Sequence, residues 1–242
     1  MLLLIDAGNT RIKWALAADD AALGDWIASG AAMHDDFESM RSAWQGHPIT
    51  RAIVSNVAGA RARASLEQII PAVACEWFAS VPQRAGVRNG YRDPAQLGCD
   101  RFAAAIGAHA LEPGKPLVVA TCGTATTIDA LSADGSFLGG MILPGLGLMA
   151  SSLARNTAQL PHIAPNDAAP AGFADNTDDA ILSGCVSAQA GAIERACRLL
   201  GASLCMLSGG AARYIAPALS APFRMVDNIV LVGLHAAATS GE

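Results

Sequence analysis

One segment constrains this chain more than any other, because it occurs twice. An apolar run at residues 2–5 leads into Asp6, Ala7, Gly8, Asn9 and Thr10. Counted from Asp6 to Thr121, the pattern returns 115 positions later, where the run at 117–120 leads into Thr121, Cys122, Gly123, Thr124, Ala125, Thr126 and Thr127. Each reads as a buried strand ending in a tight turn of Gly, Asn and Thr, which leaves backbone N–H groups and hydroxyls facing outward. Such turns are what a chain of phosphates needs around it. Two of them, in halves that begin alike, imply one phosphate chain gripped from both sides.

The residues after the first turn decide the type of fold. Ile12, Trp14 and Leu16 alternate with Arg11, Lys13 and Ala15, a period of two that predicts a second strand and hence a hairpin. A Rossmann unit or a P-loop would step from strand to helix at that point. A short strand at 52–54 and a helix at 60–70 come next, then a loop over 81–98 rich in Pro, Gly and Asn and long enough to carry function. A helix at 99–111, with Phe102, Ile106 and Ala110 on one face, stops at Pro113, Gly114 and Pro116. The domain boundary is placed there, giving halves 1–112 and 113–242.

The second half reads as strand, Gly123 turn, strand, a turn at Asp134 and Gly135, and a third strand at 137–142. Helices at 146–155 and 178–200 flank a Pro- and Ala-rich loop at 161–172. A buried strand at 204–207 runs into Ser208, Gly209 and Gly210, and an Ala-rich tail from Val230 predicts a terminal helix with either half as its partner. Glycine turns at 8, 123 and 209 describe a duplicated α/β protein with a nucleotide in the cleft between its halves.

Composition bounds this reading. At 242 residues with 52% hydrophobic and 15% charged content, the chain has ample material for a core. A formal charge of −5 and 5% aromatic content supply neither a basic stripe nor a stacking platform, so nucleic acid is not an expected partner. No apolar stretch reaches the roughly 20 residues of a membrane helix, and residues 1–5 lack a signal-peptide pattern, so the expected location is cytoplasmic, with no membrane partner. Six cysteines without a CxxC pair, and five scattered histidines, read as reduced, mostly buried thiols and no structural zinc.

Four acidic and basic positions stand out as chemistry. Asp6 ends a buried strand, where a carboxylate must be paired, hydrogen-bonded or near a cation; a hydrated Mg²⁺ beside phosphates satisfies it, and so does an Asx turn with Gly8 and Asn9. Lys13 on the next strand can neutralise a phosphate. Asp100 opens the 99–111 helix, whose N-terminus favours negative charge, so it is expected ionised at neutral pH as an acceptor of a hydroxyl proton, or else serves only as a cap. Arg101 beside it can fork onto a carboxylate, and Tyr91 adds a hydroxyl and an apolar face. Together these describe a pocket for a small anionic alcohol.

This set resembles the type III pantothenate kinases of the acetate and sugar kinase, Hsp70 and actin superfamily. The opening motif is matched by Asp6, Gly8, Asn9, Thr10 and Lys13, and the GxDR motif by Gly98, Asp100 and Arg101. Gly123, Thr124, Ala125, Thr127 and Asp129 match the second phosphate motif. Gly139, Gly140, Pro144 and Gly145 match the glycine segment after it, and Asn176, Thr177 and Gly184 a later stretch. The resemblance implies duplicated ribonuclease H-like, actin-like ATPase domains and ATP- and Mg²⁺-dependent phosphorylation of pantothenate. It implies that Asp6, Ala7, Gly8, Asn9, Thr10, Arg11, Ile12, Lys13 and Thr124 bind ATP, with Asp6 reaching Mg²⁺ through water. Tyr91, Gly98, Cys99, Asp100, Arg101 and Thr177 would hold pantothenate, Asp100 as the catalytic base, in a homodimer where Thr177 serves the neighbouring subunit. Many members carry an aspartate that holds a monovalent cation where this chain has Thr121. A hydroxyl brings no charge, so K⁺ or NH₄⁺ binding is left open.

Overall fold

The computed structural model describes residues 1–156, 161 and 172–240, and these divide into two compact units. The first comprises Met1–Pro113 together with the terminal helix; the second is Gly114–Asn228. The loop expected at 161–172 lies, apart from its ends, outside the described residues.

The first unit is built on β1 (Leu2–Ala7), β2 (Ile12–Ala17), β3 (Ala28–Ala32), β4 (Arg51–Asn56) and β5 (Ala74–Trp77), in the order β3-β2-β1-β4-β5. The β1–β2 and β2–β3 pairs are antiparallel, while β4 and β5 add on in parallel. Parallel neighbours require a crossover, supplied by α1 (Phe37–Trp44) before β4 and α2 (Gly59–Ile69) before β5. Leu3, Ile5, Ile12, Trp14, Leu16 and Val54 form the buried face of this sheet with Met40, Trp44 and Leu66 from the helices.

The loop expected over 81–98 is partly regular. It holds a hairpin of β6 (Gln83–Arg84) and β7 (Val87–Asn89), turned by Ala85 at φ 48° and Gly86 at φ 77°, and a single 3₁₀ turn at Pro94–Gln96. Two strands this short give too few residues for a period to register, and alanine gives no signal for a positive φ. Then α3 (Cys99–Leu111) spans the expected residues.

The second unit repeats the plan. With β8 (Leu117–Cys122), β9 (Ala125–Leu131), β10 (Ser136–Pro144), β11 (Leu204–Ser208) and β12 (Phe223–Met225), the order β10-β9-β8-β11-β12 reproduces that of the first sheet strand for strand, and every pair has the same direction as its counterpart. Helices α4 (Leu146–Asn156) and α5 (Thr177–Leu200) precede β11, and α6 (Ala212–Ile215) precedes β12. This is the duplicated ribonuclease H-like α/β fold expected from the sequence.

The last helix, α7 (Ile229–Thr239), packs in the first unit against α3. Every residue from Ile229 to Ala237 is buried. Glycines allow the approach: a Cβ on Gly233 would lie 1.7 Å from the Ala103 carbonyl, and one on Gly107 would lie 2.6 Å from the Ile229 carbonyl. No other residue fits at either position without moving a helix.

Candidate active site

In the first unit, the site begins where β1 ends. Asp6 is 8% exposed and stands directly opposite Lys13 in the β1–β2 register. Opposed residues of an antiparallel pair share a face, with Cβ atoms about 4.5–5.5 Å apart, so the ammonium stem rises beside the carboxylate. Between them the chain turns at Gly8, whose N–H donates to the Arg11 carbonyl (3.2 Å) and whose carbonyl accepts from Nε2 of His34 (2.8 Å). The Ala7 carbonyl is taken by the Val57 N–H (3.0 Å). Asn9, Thr10 and Arg11 are exposed on the turn, whereas the Ala7 and Ile12 side chains are buried in the core and can serve a ligand only through their backbone.

The parallel neighbour brings the second part of the site to the same sheet end. Asp6 pairs with Ser55 and Ala7 with Asn56 at the end of β4. The Ser55 hydroxyl lies 3.4 Å from the Cys99 thiol, which also donates to the Asn56 carbonyl at 3.7 Å. Cys99 therefore spends its side chain anchoring the start of α3 to β4. Burial pushes its pKa up, against the pull of those two hydrogen bonds.

Asp100, one residue on, is half-buried and its Oδ1 accepts the Arg101 N–H at 2.8 Å. The N-cap is Gly98, which makes no side-chain cap bond, so Asp100 is not the cap of α3. Burial raises its pKa, the Arg101 N–H and guanidinium opposing this. The sequence led to the opposite emphasis, because a helix N-terminus is visible in sequence and desolvation is not. Arg101 is 7% exposed, and its Nη1 donates to the Tyr91 hydroxyl at 2.8 Å. Tyr91 is set in turn by buried Asn89, whose Oδ1 accepts the Tyr91 N–H (3.0 Å) while its Nδ2 holds Ser80 and the Pro94 carbonyl, both at 3.1 Å.

The second unit carries the repeated turn. The Gly123 N–H donates to the Ala125 carbonyl (3.0 Å), leaving Thr124 exposed at the tip. Two glycine segments press on it. A Cβ on Gly145 would lie 2.1 Å from the Gly123 carbonyl, and one on Gly209 (φ 96°) would lie 2.3 Å from the Cys122 carbonyl. The bonds Gly145 N–H to Thr124 carbonyl (2.9 Å) and Ala211 N–H to Cys122 carbonyl (3.0 Å) complete the junction. The glycines at 123, 145 and 209 thus meet at one place. Thr121 is half-buried, in register between Thr127 and Ser208, and Asp129 is buried on β9 at 2% exposure. Burial raises the Cys122 thiol to about 12, so it is no nucleophile at neutral pH. Thr177 is the exposed first residue of α5, next to Asn176, which caps the helix by accepting the Asp179 N–H at 3.0 Å.

The family model for type III pantothenate kinase matches residues 2–199. The chain belongs to that family. Type III pantothenate kinases from Herminiimonas arsenicoxydans and from Janthinobacterium sp. (strain Marseille) are each 56% identical to it, over 98% of this chain and 97% of theirs. That from Aromatoleum aromaticum is 48% identical over 97% and 96%. Among solved structures, a Baf family protein from Campylobacter jejuni superposes with a TM-score of 0.62 at 21% identity, over 96% of this chain and 94% of its own. The activator of the 2-hydroxyisocaproyl-CoA dehydratase from Clostridium difficile, with ADPNP bound, gives 0.52 at 12% identity over 98% and 92%. At such identities these two speak to the fold alone.

Within this pantothenate kinase chain, Asp6, Lys13, Ser55, Cys99 and Asp100 gather at one end of the first sheet, and Tyr91 joins them through Arg101. Thr124 and Thr177 belong to the other unit. Sequence reading missed Ser55, Asn89 and His34 as supports. Ser55 and Asn89 had a signal, a polar residue closing an apolar strand or loop; His34 had none, since its partner is a backbone carbonyl 26 residues away. Among the described residues no cluster of three or more His, Cys, Asp or Glu could hold a metal, and no helix is long and apolar enough to cross a membrane.

Proposed function

We propose that this chain transfers the γ-phosphoryl group of ATP to the 4′-hydroxyl of pantothenate, giving 4′-phosphopantothenate, the first step toward coenzyme A, in the cytoplasm. The observation that carries this reading is the half-buried carboxylate of Asp100, whose Oδ1 accepts the Arg101 N–H, next to the buried Arg101 side chain that donates to the half-buried Tyr91 hydroxyl. Phosphoryl transfer needs positioning and charge neutralisation more than covalent chemistry, and leaves one proton to be removed from the attacking alcohol. Asp100 accepts that proton at a carboxylate oxygen. Arg101, whose Nη1 donates to the Tyr91 hydroxyl, pairs with the pantothenate carboxylate.

The turn from Asp6 to Lys13 and the hydroxyl of Thr124 hold the ATP phosphates, Lys13 neutralising charge. Mg²⁺ fits a site with one carboxylate, because it dehydrates reluctantly and takes its other ligands from water and phosphate oxygens. Asp6 would hold it through water. When bound, Mg²⁺ offsets the negative charge of the phosphates. The functional form is a homodimer in which Thr177 of one protomer serves the pantothenate pocket of the other. Thr121 gives a weak site for K⁺ or NH₄⁺, lacking the charge that a carboxylate would add.

The test is ADP formation followed with and without pantothenate. ADP released only when pantothenate is present, with phosphopantothenate as the product by mass spectrometry, is the expected result. Equal ADP release without it, or no turnover with it, would overturn the assignment.

A further inference from the structure

The turn after β1 has its backbone engaged on one side. The Ala7 carbonyl receives Val57, the Gly8 N–H goes to Arg11, and the Gly8 carbonyl receives Nε2 of His34 at 2.8 Å. The acceptor is a carbonyl, so Nε2 carries the hydrogen. His34 sits between β3 and α1, half-buried, and nothing in the assigned chemistry uses it.

The Gly8–Asn9 peptide is planar and trans, so the Gly8 carbonyl and the Asn9 N–H point in opposite directions. Fixing one fixes the other. Were this peptide to flip, a carbonyl oxygen would replace an N–H donor on the exposed side of the turn, and an oxygen dipole repels a phosphate where an N–H attracts it. Such a flip turns ψ of Gly8 and φ of Asn9, and both torsions are permissive here: glycine has no Cβ to restrict ψ, and asparagine tolerates a positive φ better than most residues.

We infer that His34 is a positioning residue for nucleotide binding, which holds the Gly8–Asn9 peptide in the orientation that turns the Asn9 N–H toward the phosphates. The inference rests on the reading of this turn as the ATP phosphate site. It assigns His34 no contact with ATP or pantothenate and no proton transfer.

The surroundings dictate the choice of variant. His34, Asn9, Thr10, Arg61 and Ser65 line a cavity of about 700 Å³, so a small replacement would admit a water molecule to the Gly8 carbonyl and partly restore the bond. His34→Phe keeps the ring volume and removes the donor. His34→Gln keeps an N–H donor on a flexible stem. Affinity is read by calorimetry with AMPPNP and Mg²⁺, without pantothenate, and KM for pantothenate is measured separately.

His34→Phe is expected to weaken AMPPNP binding about ten-fold, the worth of one hydrogen bond, with KM for pantothenate unchanged and Tm lowered by no more than a few degrees. His34→Gln is expected to recover most of the loss. Parental affinity in His34→Phe overturns the inference, and so does a loss that His34→Gln fails to restore. Asp6→Asn is the control: if it weakens AMPPNP binding and His34→Phe does not, only the role of His34 falls. If AMPPNP binding is unaffected by both, the assignment of the turn to nucleotide falls, and the role of His34 with it.

Discussion

Gly98 has no side chain because Asp100 occupies the space one would need: a Cβ built on it would lie 2.7 Å from Oδ1 of Asp100. The neighbour is the end of a flexible side chain and not backbone, so Gly98→Ala displaces the carboxylate without breaking the fold. Its kcat is expected to fall by about 10²-fold, with Tm little changed. Asp100→Asn, which keeps the shape and removes the base, is expected to lose about 10²- to 10⁴-fold in kcat with ATP affinity preserved. Steady-state kinetics beside calorimetry checks both, and near-parental turnover in Asp100→Asn would remove it from the mechanism.

The environment of Asp100 also sets a pH dependence. Burial favours the neutral acid and raises the pKa, while the Arg101 N–H and charge act the other way. A base must be ionised to accept a proton, so kcat/KM falls on the acid side at a pH above the usual aspartate range. Arg101→Gln removes a lowering influence, and the acid limb is expected to move further up. Because the folded pKa exceeds the unfolded one, ionisation of Asp100 costs stability as pH rises. Asp100→Asn should therefore raise Tm at neutral pH and give no such gain once the carboxyl is protonated in both states.

Asp6, opposite Lys13, is the only carboxylate on its turn. Asp6→Asn is expected to raise the Mg²⁺ concentration needed for half-maximal turnover and to leave KM for pantothenate unchanged. A Mg²⁺ titration matching the parent's would show that Asp6 does not serve the metal.

Thr121 offers oxygen without charge. Activity in a Tris buffer free of K⁺ and NH₄⁺ is expected to rise little on adding KCl at constant ionic strength, and Thr121→Asp is expected to gain that dependence. A parent enzyme inactive until K⁺ is supplied would place the cation on other oxygens.

Gly233 tests the fold instead of the chemistry. With the Ala103 carbonyl 1.7 Å from any Cβ, Gly233→Ala must push α7 off α3. A loss above about 3 kcal/mol is expected in denaturant unfolding, against a gain of roughly 1 kcal/mol for Gly184→Ala in the exposed interior of α5, where the added methyl meets nothing.

The sequence by itself determined the two hairpins, their glycine turns, the GxDR helix start and the duplication, because these are local patterns: apolar runs of strand length, alternation of period two, and residues demanded by a turn. It also carried the family motifs. Tertiary structure alone decided that α7 leaves the second unit to pack on α3, since a uniformly apolar helix states that it is buried but not against what. It decided that Gly145 and Gly209 are glycines because the Gly123 and Cys122 carbonyls lie against them. It decided, too, that Asp100 is shifted upward and that His34 reaches Gly8. Each of these depends on which distant backbone or solvent-excluding surface arrives beside a residue, and a linear pattern records spacing along the chain, not the company a side chain keeps once folded.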